Sequence, residues 1–210
     1  MYKRLKESYT LNNDLNIIYI NLDKRKDRNE SIINELKDFG KSKYTRLSAT
    51  YNEKGYLGCA MSHIRVLEYA IKNNLNNVVI FEDDFKFKRN KQIVYNEIIS
   101  FINSGINWDV LLLAGNKGIR TPFNNYIDKI KNSQTTSAYI VNKQYYHKLL
   151  DNFKDAYKKL EETNLKELYS IDEHWKSLQE TDNWFALKKF AGIQRASYSD
   201  IEKQNVNYGI

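Results

Sequence analysis

Val78-Val79-Ile80-Phe81-Glu82-Asp83-Asp84-Phe85 is the stretch from which the fold is read: four apolar, largely β-branched residues run straight into three consecutive carboxylates. The apolar run reads as a strand buried on both faces, as in a parallel sheet. That puts the carboxylates at the strand's C-terminal end, where open α/β sheets bind ligands. Adjacent acids repel one another, and a hard divalent cation bound between them would relieve the repulsion. Alternation along an extended chain predicts that Glu82 and Asp84 share a face while Asp83 points away. The same residues also fit a solvated acidic turn that caps a following helix, and the stretch alone does not choose.

Upstream, residues 16–20 read as a first strand, followed by a helix over 24–39 capped by Asp23 and stopped at Gly40. The helix opens on Lys24-Arg25-Lys26-Asp27-Arg28. Cations are unfavourable at the positive end of a helix dipole unless an anion binds there. A solvated basic face is the plainer reading. Residues 44–49 make a weaker second strand, and a helix fits 59–72 with Ser62 and His63 in its first turns. A solitary histidine in such a place is by default a structural hydrogen-bond partner.

Downstream, the pattern gives a helix over 90–104, an apolar strand over 108–113, a long loop over 116–134 holding Pro122, and a strand over 136–141. Asn142 would cap a helix reaching about residue 162. Ser170-Ile171-Asp172-Glu173 has the form of a capping box, which gives Glu173 a structural task and leaves Asp172 without one. Residues 184–190 suit a last strand. Strands alternating with helices argue for an α/β fold with a parallel sheet and right-handed crossovers.

With 210 residues, 41% of them hydrophobic, the chain suits one substantial folded core and not two ordinary domains. The net charge of +7 comes from lysines scattered along the chain, and there is no RNA-recognition signature, zinc-ligand spacing or Walker loop. Nucleic acid is therefore not an expected partner. No apolar run approaches the roughly 20 residues of a membrane span, and the polar start offers no leader or anchor. Peripheral contact with a membrane is left open. A single Cys59 excludes an intramolecular disulfide and suits a reducing compartment, so the expected location is cytoplasmic.

Several pieces occur in a telling order: Ile20-Asn21-Leu22-Asp23 with Arg25, Asp27 and Arg28, then Gly58-Cys59-Ala60-Met61-Ser62-His63, then Phe81-Glu82-Asp83-Asp84. Ser137-Ala138-Tyr139-Ile140-Val141, Asp172-Glu173 and the segment 194–202 follow. The ordered set resembles glycosyltransferase family 25, which includes lipooligosaccharide and collagen-type galactosyltransferases. The resemblance implies one GT-A type domain over residues 1–210, a Rossmann-like, mostly parallel sheet flanked by helices. Residues 1–115 would be its nucleotide-sugar-binding half, and 116–210 its acceptor-side half and tail. It implies transfer of a hexose, galactose or glucose, from a UDP-sugar to a saccharide or hydroxylated acceptor in lipopolysaccharide or other glycan biosynthesis. Mn²⁺ or Mg²⁺ would assist.

Carried over by position, Asp84 would be the direct metal ligand, with Glu82 nearer the ribose or acting through water. Asn21, Asp23, Arg25, Arg28 and Ala49 would face the nucleotide, and Ser62, His63 and Asp83 would line the same pocket. A third metal ligand would come from the C-terminal part, His174 or Gln194, between which the sequence does not choose. Asp172 would lie on the acceptor side as the base of an inverting transfer, with Glu173 as runner-up. The chain is short for a separate acceptor domain, so acceptor choice would fall to the 116–134 loop, the tail or a partner. Two other functions fit the same residues: a non-catalytic nucleotide-sugar or carbohydrate-binding module, and a metal-dependent nucleic-acid enzyme.

Overall fold

The computed structural model describes residues 15–40, 43–116, 118–199 and 204–206. The first half runs β1 (Ile17–Asn21), α1 (Lys26–Leu36), β2 (Tyr44–Ser48), α2 (Gly55–Lys72), β3 (Asn77–Glu82), β4 (Phe85–Phe87), α3 (Lys91–Ile102) and β5 (Val110–Leu112). The second runs β6 (Ile119–Pro122), β7 (Ile127–Lys131), β8 (Ala138–Asn142), α4 (Tyr146–Thr163), the short helices α5 (Lys166–Tyr169), α6 (Ile171–His174) and α7 (Lys176–Gln179), then β9 (Trp184–Leu187) and β10 (Gly192–Gln194). A small hairpin, β11 (Ser197–Ser199) and β12 (Gln204–Val206), follows.

Eight strands form the main sheet in the order β2-β1-β3-β8-β5-β9-β7-β6. β1 pairs in parallel with β2 and β3, and β5 with β9, while β8 and β7 run antiparallel to their neighbours. Strand direction is thus shared by all but β7 and β8, which makes the sheet mostly parallel. The central run behaves as its composition dictates. Every residue from Asn77 to Phe81 is buried. Val78 and Ile80 pack under α2 and α4 with Leu67, Leu149 and Phe153. Val79 and Phe81 go to the opposite face with Ile32, Val94, Ile98 and Phe101 of α1 and α3. Each such side chain contributes about 1.5–3 kcal/mol of burial free energy, so a one-residue slip of this strand would scramble both faces.

Several local expectations are corrected. Asp23 does not cap α1; the N-cap position is Arg25, with no side-chain cap bond. Asp23 instead accepts from Arg46 Nη2 at 2.6 Å and Ser48 Oγ at 2.9 Å, because β2 brings those donors alongside the end of β1. The helix α2 begins at Gly55, earlier than the first apolar residue of its stripe suggested. Residues 116–134 are not a loop: they hold the β6–β7 hairpin, whose Asn124 side chain accepts from the Tyr126 and Ile127 N–H groups in the turn. Ile127 and Ile130 of β7 are buried on opposite faces of the sheet, so the hairpin's apolar content goes into the core. Asn142 caps nothing and donates to the Trp108 carbonyl at 2.9 Å. Ser170 occupies the N-cap of α6 but makes no side-chain cap bond, and Glu173 pairs with Lys176 Nζ at 2.5 Å. Asp200, Ile201 and Glu202 of the tail motif lie outside the described residues.

Candidate active site

A cleft opens at the C-terminal ends of β1 and β3, between the first turns of α1 and α2, with the loop after β2 and Gln194 of β10 closing its sides. Adjacent parallel strands whose crossover helices lie on opposite faces leave such a crevice. Here α2 covers the face of Ile20 and Ile80, and α1 the face of Tyr19 and Phe81.

All three carboxylates line this cleft. Strand alternation stops at Glu82 because the turn to β4 starts there, so Asp83 does not point away as expected. Asp83 accepts from Asn21 Nδ2 at 2.8 Å and Arg28 Nη1 at 2.9 Å. The same Arg28 nitrogen lies 3.2 Å from Asp84 Oδ2, which also accepts from Gln194 Nε2 at 3.2 Å. The turn is pinned from the other side by the Arg195 N–H, which donates to the Asp84 carbonyl at 2.7 Å. Burial, with the negative charge of Glu82 next, pushes the Asp84 carboxyl up to about 7 despite Arg28. Asp83 is raised as well, chiefly by burial.

Glu82 points to the α2 side. Its Oε1 accepts from Thr136 Oγ1 at 2.5 Å and lies 3.1 Å from His63 Nε2, while His63 Nδ1 lies 2.8 Å from the Tyr139 hydroxyl. An ionised carboxylate only accepts, so Nε2 carries a proton, and in the neutral ring Tyr139 then donates to Nδ1. Burial raises the Glu82 carboxyl, but the hydrogen bonds from His63 and Thr136 outweigh it and hold the group below its ordinary value.

The cleft thus gathers Asn21, Arg28, Ala49, Ser62, His63, Glu82, Asp83, Asp84 and Gln194 among the residues singled out from sequence. Ser62 donates to the Gly58 carbonyl and accepts from the Thr50 N–H, so it shapes the loop after β2. Arg25 is not on the lining; it forms a two-pronged pair with Asp27, at 3.0 and 2.7 Å. Asp23 is exposed, at 74% of its side chain. His174 is not brought to the cleft: its Nε2 is bound to Asp155 of α4 at 2.7 Å. Asp172 is half-buried and not on the cleft lining; it accepts from the Thr135 N–H at 3.1 Å and lies close enough for its charge to act on Glu82 and Cys59. Sequence reasoning passed over Tyr51, Thr136 and Tyr139. Tyr51 lines the cleft mouth, 66% exposed, with Lys24 Nζ 4.9 Å from its ring centre. Nothing in the spacing marks it, because it sits in an irregular loop.

The residues fit a hard divalent cation. Their donors are oxygens, as Mn²⁺ and Mg²⁺ prefer. Asp84 Oδ1 is buried and has no hydrogen-bond partner among the described residues, so it lacks what a cation would supply. Turning the Gln194 amide over would add its oxygen to the set.

Comparison with known proteins bears on the family and the fold. A Haemophilus influenzae protein that carries a provisional glycosyltransferase name is 45% identical over 47 residues. That match spans 22% of this chain and 17% of the relative, less than a fifth of the relative's length. Among solved structures, a glycosyltransferase involved in glycosylation of the major capsid of PBCV-1 superposes with a TM-score of 0.54 at 11% identity, over 90% of this chain and 96% of that one. A mannose-1-phosphate geranyltransferase from Thermus thermophilus gives 0.51 at 8% identity, over 90% and 76%. Likeness at such identities speaks for the fold alone. The sequence profile described as glycosyltransferase family 25 (LPS biosynthesis protein) matches residues 53–175, which carry the Gly58–His63 segment, the three acids and Asp172. Since that match takes in more than half of the 210 residues, the chain belongs to glycosyltransferase family 25.

Proposed function

We propose that the chain transfers a hexose, galactose or glucose, from a UDP-sugar to a saccharide or other hydroxyl-bearing acceptor, with Mn²⁺ or Mg²⁺ held at Asp84. The observation that carries this reading is the buried, unpartnered Asp84 Oδ1 beside Glu82 and Arg28 in a cleft at the C-terminal edge of the sheet. Asp84 and Glu82 would hold the cation, with Gln194 as a third ligand. When bound, a divalent cation neutralises charge that develops on a leaving diphosphate.

Around it, each residue has a task. Arg28 stands ready to meet the diphosphate with a fixed positive charge. Asn21 ties Asp83 to the α1 turn and so sets the cleft's inner wall. The exposed ring of Tyr51 offers a flat surface at the mouth. Asp172 would take the proton from the attacking acceptor hydroxyl in an inverting transfer. Burial, with the charges of Glu173 and Glu82 adding to it, raises its carboxyl, which suits a proton acceptor. Glu173 is held by Lys176 and is the weaker candidate. The family description points to lipopolysaccharide biosynthesis, and we place the acceptor among its saccharides, with the enzyme in the cytoplasm.

A screen of UDP-sugars with and without Mn²⁺, read by release of UDP, tests the reading. Metal-stimulated release from one UDP-hexose is the expected result. Calorimetry showing no metal dependence of UDP affinity would overturn it.

A further inference from the structure

A second set of ligand atoms lies a few ångströms along the same wall, and its chemistry is different. Cys59 and His63 stand four residues apart on α2, so both side chains leave one face of the helix, toward the end of β3. There they meet Glu82. Cys59 Sγ, a ring nitrogen of His63 and a carboxylate oxygen of Glu82 all lie within 4.8 Å of one another, and all three residues line the cleft. Two of the three are held from behind. Tyr139 bonds His63 Nδ1 and aims Nε2 at the cluster, and Thr136 bonds the Glu82 carboxylate. Outer partners of this kind orient the histidines and carboxylates that ligate metals. The thiol itself is no free nucleophile: burial, together with the charges of Glu82, Asp172 and Asp84, pushes it well up. The corner is negative and opens on the cleft, so a cation can reach it.

We propose that Cys59, His63 and Glu82 form a binding site for a borderline-soft divalent cation of the zinc class, with a fourth position open to the cleft. Sulfur, nitrogen and a single carboxylate oxygen suit zinc and disfavour Mn²⁺ or Mg²⁺, which take oxygen. Metal–ligand distances of about 2.0–2.3 Å require ligand atoms to close to roughly 3.5 Å from the present spread of up to 4.8 Å. On entry the thiol gives its proton to solvent. The imidazole proton moves from Nε2 to Nδ1 and is donated to Tyr139, which changes from donor to acceptor. The proposal does not depend on the transferase reading, since neither the thiol nor the imidazole serves as a metal ligand there. If both hold, the ions share Glu82 and zinc excludes Mn²⁺.

Cobalt serves as the spectroscopic probe. The full chain, reduced and stripped of metal, is titrated with Co²⁺ alone and the near-ultraviolet thiolate-to-cobalt band recorded. The expected result is a band that saturates at one equivalent and is bleached by one equivalent of Zn²⁺. Cys59→Ser should abolish it, His63→Gln should weaken Co²⁺ binding by well over tenfold, and Tyr139→Phe by roughly tenfold. A wild-type titration with no thiolate band overturns the proposal whether or not any variant folds. So does a band whose affinity is unchanged in folded His63→Gln, which would be a bare thiol adduct. UDP affinity that does not respond to Mn²⁺ in the protein free of Zn²⁺ and Co²⁺, with the band present in the Co²⁺ titration, would sink the transferase reading and leave this one standing.

Discussion

The guanidinium of Arg28 meets the carboxylate of Asp84 across 3.2 Å, tying the first turn of α1 to the turn that ends the central strand. Both side chains are largely buried, at 14% and 10% exposure, so solvent and salt screen the pair little. The chain thereby carries its own cation in its acidic cluster. Removing that cation leaves buried carboxylates uncompensated, which costs about 3–5 kcal/mol where a pair is fully enclosed. We expect Arg28→Ala to lower stability by roughly 2–4 kcal/mol in chelator at pH 8, and Asp84→Asn on top of it to recover much of the loss. Urea denaturation of the four proteins of this cycle checks it. An Arg28→Ala protein as stable as wild type removes the pair from the account.

The raised Asp84 carboxyl makes metal-free stability depend on pH. A carboxyl near 7 in the fold, against an ordinary value of 3.8, binds its proton more tightly when folded. Its contribution is therefore fully present below about pH 4 and is lost as pH rises through about 7, an effect of at most about 4 kcal/mol. In chelator, wild type should lose stability on this account between those pH values. Asp84→Asn should lack the slope and be the more stable protein at pH 8. Parallel slopes for the two would contradict the assignment.

Asp172 can be divided into a structural and a chemical part. Its carboxylate accepts the N–H of Thr135, a β-branched residue held at φ +87°. Asp172→Asn keeps an acceptor oxygen there and should fold normally, bind UDP as wild type does, and lose transfer by about 10²–10⁴-fold. Asp172→Ala should in addition lose about 1–3 kcal/mol of stability by stranding that N–H. Single-turnover kinetics beside calorimetry separates the two, and an Asp172→Asn enzyme with wild-type transfer excludes the base role.

Gly58 is required by closeness and not by conformation. A Cβ there would sit 2.5 Å from the Thr50 carbonyl and 3.2 Å from the Asn52 nitrogen, both backbone atoms of the loop that walls the cleft. Gly58→Ala should cost about 1–3 kcal/mol and, by pushing that loop, weaken UDP binding several-fold. Unchanged melting temperature and unchanged affinity together would show that the loop yields freely.

The fold was legible where burial alone dictates the pattern. Val78 to Phe81 could be read as a doubly buried strand because apolar residues on both faces leave few alternatives. The cations at the start of α1 suggest a bound anion or a solvated face, and neither reading contains the pairing of Arg28 with Asp83 and Asp84. What could not be read depends on partners distant in sequence. The local rule makes Asp23 a cap because it cannot see Arg46. Glu173 looked like a box residue until Lys176 claimed it. Tyr139 is indistinguishable from any strand aromatic until the antiparallel register places it beside His63. His174 and Gln194 looked equivalent as ligands, and only tertiary packing sent one to Asp155 and the other to Asp84.

The antiparallel strand β8 at the middle of the sheet also fixes the order in which the molecule can be completed. It joins β3 to β5, pairing Ala138 with Phe81 and Tyr139 with both Ile80 and Leu112. A chain emerging from the ribosome can pair β1, β2 and β3 early, but β3 then presents an apolar edge with unpaired backbone groups until residues 138–142 arrive. The same arrival delivers Thr136 to Glu82 and Tyr139 to His63. Sheet closure and assembly of the acidic centre are therefore one late event, slow in the manner of non-local pairings. A nascent chain short of that strand exposes its stickiest edge, and an early-terminated product would be a substrate for chaperones and proteases.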